Sequence, residues 1–103
     1  MAQLEARNQI DFATLAVSTT AVGLASASPA ITAGATVHRA IITVETDSVR
    51  WRADGTAPTS TEGHLLYVGN ALQLVDANYE SFLRAIQFIR VTADAALKIT
   101  YFD

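Results

Sequence analysis

Few residues in this chain could do chemistry. Two arginines flank the single tryptophan as Arg50-Trp51-Arg52, and three carboxylates, Asp47, Asp54 and Glu62, lie close by. His38 and His64 are far apart in sequence, and Lys98 is the single lysine. Paired guanidiniums on one strand face can grip carboxylates bidentately or contact a phosphate backbone. Zinc would need further ligands converging on the histidines, and neither histidine belongs to a spaced ligand set. The carboxylates sit near turns without the spacing of an EF-hand loop, so turn chemistry accounts for them. No serine occupies a Gly-x-Ser-x-Gly elbow, and the five glycines form no phosphate loop. No acid, base and nucleophile set is visible, so the expectation is a protein that is not an enzyme and has no cofactor and no metal.

Composition narrows the partners. A chain of 103 residues carries one domain with one core. Half of the residues are apolar and 17% are charged, too apolar for a disordered tail. The net charge of −3 argues against nucleic acid, whose binders need cationic surface. The absence of cysteine removes disulfides, thiolate metal sites and a cysteine nucleophile. No apolar run reaches the length of a membrane span. The start, "MAQLEARNQIDF", carries a charge every few residues and is not expected to be a secretory signal. Its polar residues 1–7 read as an arm that contacts another subunit.

The elements that must position these residues read as strands. Period-two alternation dominates, with turn residues every 8 to 15 positions or so. Residues 8–17 form a first strand with Ile10 and Phe12 on one face. The apolar side then slips to Leu15 and Val17, which predicts a bulge or kink. A short strand fits residues 21–25. Residues 37–46 give the strongest strand, with Ala40, Ile42 and Val44 on one face and Val37 and Ile41 on the other. A tight turn at Asp47-Ser48 returns the chain along residues 49–53, with Val49, Trp51 and Ala53 inward and Arg50, Arg52 and Asp54 outward. Two further hairpins are predicted: residues 64–68 with 71–75 through Gly69-Asn70, and residues 86–91 with 96–102 through "TADA". Leu97, Ile99 and Tyr101 then face the core, while Lys98 and Thr100 face water.

"DANYESFLRAIQFIR" is ambiguous, because Tyr79, Phe82, Leu83, Ile86 and Ile89 recur at helical spacing. The preferred reading is one short helical turn near residues 79–84, followed by a strand. The fold expected is all-β: a single antiparallel β-sandwich or small barrel of about seven or eight short strands. Residues 1–18 form an N-terminal strand or arm and residues 19–103 the sandwich. Its expected core includes Trp51, Ile42, Val44, Leu66, Leu74, Phe88, Ile99 and Tyr101. Alternation puts Trp51 opposite both arginines, so they share a face without sandwiching the indole. Either they are solvated strand residues or they grip carboxylates on a neighbouring subunit.

A resemblance adds to this. The order is "TTAVGLASAS", then "HRAIITVETDSVRWRADGTAPTSTEGHLL", "LQLVDA" and "FLRAIQFIRVTADAALKITYF". It resembles small virion structural proteins of tailed bacteriophages over residues 19–102, most specifically over residues 49–63. The resemblance implies a non-catalytic β-sandwich in the virion, assembled in the host cytoplasm. The first expectation is a capsid decoration or cement protein that bridges subunits. It would be present as a homo-oligomer, with the major capsid protein or other virion subunits as partners, and with neither nucleic acid nor membrane. A neck or tail component is the alternative. A carbohydrate- or receptor-binding module, with Trp51, Tyr67 or Tyr79 as sugar platforms, is a second. The candidate subunit contacts are Arg50, Arg52, Asp54, Gly55, Thr56, Pro58 and Glu62. Gly55 supplies positive φ and Pro58 stiffens the loop.

Overall fold

The computed structural model describes residues 9–26, 39–75 and 85–102. It contains strands β1 (Gln9–Val17), β2 (Val22–Gly23), β3 (Arg39–Glu45), β4 (Val49–Arg52), β5 (His64–Leu66), β6 (Ala71–Val75), β7 (Gln87–Arg90) and β8 (Ala95–Phe102). A single 3-10 turn, Leu24–Ser26, follows β2. The strands form two four-stranded antiparallel sheets, ordered β1-β8-β3-β6 and β2-β7-β4-β5. The fold is therefore an all-β sandwich, with no ladder closing the two sheets into a barrel among the described residues.

The strand order has a simple logic. The first strand pairs with the last, the second with the last but one, and so inward to β4 with β5. The chain is a long ribbon, folded back at the β4–β5 connection and wrapped around its own core. This is the order of an eight-stranded jelly roll. Every other pair of consecutive strands is split between the two sheets.

That topology corrects three expected hairpins. β3 and β4, β5 and β6, and β7 and β8 are neighbours in sequence but lie in opposite sheets. The physical reason is burial. Leu66 and Leu74, or Phe88 and Leu97, point into the same core from opposite sides. Alternation shows which face is buried but not which neighbour supplies the hydrogen bonds. The β3–β4 crossing places Thr46 at φ 80°, a left-handed conformation costly for a β-branched residue. Asp47 completes the corner: its Oδ1 accepts from the Ser48 amide at 2.7 Å.

The first strand differs in detail. Its irregularity lies between Gln9 and Asp11, and the register then runs unbroken to Val17. Ala13, Leu15 and Val17 are therefore buried, and Phe12 points outward, half exposed. Of the expected core, seven residues are buried, and Trp51 is only half-buried. Trp51 occupies the row Val22, Phe88, Trp51, His64, which crosses the second sheet to its β5 edge. Burial fades along that row, from fully enclosed Phe88 to exposed His64. Lys98 is partly covered on the outer face of the first sheet and donates to Thr14 Oγ1 at 3.2 Å.

The helical turn near 79–84, the arm 1–7, Val37 and His38 lie outside the described residues. Among those described, no helix is long and apolar enough to cross a membrane.

One exposed cluster ties the end of β1 to the β7–β8 connection. Asp94 accepts from Ser18 Oγ at 2.8 Å and from Arg90 Nη1 at 2.6 Å. The Ser18 hydroxyl, and then Arg90, hold its carboxyl below the usual range. A depressed folded value stabilises above the unfolded value and loses that contribution as pH falls through the folded one. Asp94→Asn should therefore lower the melting temperature at pH 7, and the gap from wild type should close at an acid pH below the ordinary aspartate range, where the carboxylate takes up its proton. Melts of both proteins at the two pH values check this. A gap that persists in acid would show that the ionised carboxylate is not the source.

Candidate functional site

The β4–β5 connection is the one hairpin between sequence neighbours within a sheet among the described residues. It holds the whole 49–63 stretch. Trp51 pairs with His64 and Val49 with Leu66, both on the inner face. Arg50 pairs with Leu65 on the outer face. The long loop between the strands is built by local polar groups. Thr59 and Glu62 exchange backbone hydrogen bonds at 2.9 and 3.3 Å, closing a turn over Ser60-Thr61. The Thr59 hydroxyl also accepts from the Thr61 amide at 3.3 Å.

Arg50 clamps this loop. Its Nε donates to the Ser60 carbonyl at 3.0 Å and its Nη1 to the Gly63 carbonyl at 2.9 Å. Pro58 is buried beneath the turn. A Cβ on Gly63 would stand 3.2 Å from Pro58 Cβ and 3.3 Å from Arg50 Cβ, so the loop folds back against the outer face of β4. Arg52 is occupied differently. It forms a two-point ion pair with Asp54, through Nε to Oδ1 at 3.0 Å and through Nη2 to Oδ2. Asp54 Oδ1 also accepts from the Thr56 amide at 3.3 Å. The hydrogen bond to Asp54 raises the guanidinium of Arg52 further, and the same bond pulls the carboxyl of Asp54 down.

The candidate residues therefore separate. Arg52, Asp54 and Glu62 come together at an open cleft of about 540 Å³, joined by Trp51, Ala53, Gly63 and His64. Arg50 and Pro58 are structural parts of the loop. Gly55 holds φ 88° with open space around it, and Thr56 is exposed beside it. The two guanidiniums share a strand, but each is committed within the chain. Sequence reasoning missed the role of Arg50, because its partners are backbone carbonyls that leave no signal in the residue types. It also missed His64, whose ring lies over Trp51 with centroids 4.7 Å apart and planes tilted by 35°. Asp47 belongs to its own turn and takes no part. Among the described residues, no group of three His, Asp or Glu side chains converges as metal ligands would.

The two arginines should respond differently to truncation. Arg50→Ala removes two charge-assisted hydrogen bonds from a partly buried site and should cost about 1–2 kcal/mol. Amide exchange at Ser60 to Gly63 should speed up while the sheets stay protected. Arg52→Ala breaks an exposed pair and should leave the melting temperature unchanged. Equal effects would contradict the clamp.

Searches against protein-family models, curated proteins and solved structures find no match for this chain.

Proposed function

We propose that this chain is a non-enzymatic structural subunit of a bacteriophage virion, and that it decorates or cements the capsid. The observation that carries the proposal is the 49–63 stretch. The segment most specific to the resemblance is the hairpin at the folding-back point of the ribbon, and its loop is held by its own hydrogen bonds and a buried proline. Such a loop can dock with little ordering cost. It offers Thr56, Ala57, Thr59, Ser60 and Thr61 as small exposed side chains. Many weak contacts then add through avidity on a shell.

Eight-stranded jelly rolls serve in viral capsids and also in lectins, so the fold alone does not choose. A sugar-binding module needs exposed aromatic platforms gathered in one concave patch. Here Tyr67 lies outside the cleft that Trp51 and His64 line, so the exposed aromatics are not gathered in one patch. The neck or tail remains the second location within the same class.

The test is sedimentation of purified chain with particles that lack it. Saturable co-sedimentation, weakened in the loop-freeing Arg50→Ala variant, is expected. A chain that stays in the supernatant at every ratio contradicts the proposal.

A further inference from the structure

The cleft beside the loop has an unbalanced charge. Among the described residues, two carboxylates, Asp54 and Glu62, line it with one arginine, and Arg52 is bonded to Asp54 while it also feels the charge of Glu62. Glu62 forms no side-chain hydrogen bond or ion pair with any described residue. In the same lining, the ring of exposed His64 lies over half-buried Trp51 and makes an aromatic surface. Gly63, which also lines the cleft, adds no side chain to it.

A flat, delocalised cation suits both surfaces at once. A guanidinium stacks on an aromatic face and offers a fork of N–H donors to a carboxylate. An ammonium is more strongly hydrated and lacks the plane. We infer that this cleft is a socket for an arginine side chain of a neighbouring subunit, stacked on the His64–Trp51 surface and held by Glu62. The inference deepens the virion reading and rests on it only for the source of the arginine. It also reverses the expected polarity of the surface: the chain supplies the carboxylate and the partner the guanidinium.

The single tryptophan makes the full-length chain its own reporter. The probe is N-acetyl-argininamide, titrated while Trp51 emission and the amide shifts of Arg52, Gly63 and His64 are followed. A saturable change with a dissociation constant on the order of millimolar is expected in both readouts. The lysine analogue should bind more weakly, and the uncharged citrulline analogue should not saturate. Glu62→Gln, an exposed substitution whose folding is checked by its melt, should weaken arginine binding about tenfold, the loss of one charge-assisted hydrogen bond.

No saturation in either readout overturns the inference. So does an equal response to citrulline, or unchanged affinity in Glu62→Gln. Saturation by a neutral monosaccharide at the same amides, without arginine binding, would assign the cleft to carbohydrate. Arginine binding by a chain absent from virions would keep the socket and remove the virion reading. A chain abundant in virions that ignores arginine would do the reverse.

Discussion

Phe88→Ala is expected to destabilise the fold by about 3–5 kcal/mol, the usual loss for an enclosed aromatic ring. Phe88 is fully buried. It stands at the centre of the row that links β2, β7 and β4, with Val22 on one side and Trp51 on the other. Its removal opens a void where the two sheets meet, and close-packed neighbours collapse into it only in part. Domains of this size hold roughly 5–15 kcal/mol in total, so the variant should sit near the edge of folding at room temperature. Phe88→Leu should recover much of the loss. Urea titrations of the three proteins decide the matter. A cost under about 1 kcal/mol would mean that the sheets do not pack face to face at this point.

Gly63→Ala is the second large effect. Gly63 has φ 135°, which side chains rarely adopt, and an added Cβ would lie 3.1 Å from the Trp51 carbonyl oxygen. That oxygen is backbone and cannot swing aside. The strained conformation alone costs about 1–3 kcal/mol, and the contact adds to it. Gly55 and Gly69 also have positive φ, but an added Cβ meets nothing within 4 Å. Gly63→Ala should therefore melt well below Gly55→Ala and Gly69→Ala, and it alone should change the emission of Trp51. Three equal losses would show that the loop does not lie close against β4.

The inner faces were legible in the sequence because alternation follows directly from the pleat. Ala40, Ile42 and Val44 are buried together, as are Leu97, Ile99 and Tyr101. Strand pairing was not legible. A sandwich core is fed equally by two strands of a hairpin and by two strands in opposite sheets, so Leu66 and Leu74 give the same pattern either way. The face of Phe12 was misread because the irregularity at Gln9 and Asp11 leaves no mark in composition. The loop was legible as a loop, through Asp54-Gly55 and Pro58. Its clamp was not, since the partners of Arg50 are backbone carbonyls, which every residue carries. The alternation placed Trp51 inward correctly. It could not show that β5 is a sheet edge, where inward-facing residues meet solvent.

The most direct measurement is the amount of this chain in washed, purified particles of the phage proposed to encode it, relative to the major shell protein. The account predicts a copy number in fixed proportion to the shell protein, as decoration of repeated shell positions requires. A few copies per particle, as a ring at the neck would give, contradicts decoration. Absence from the particles contradicts the virion role itself.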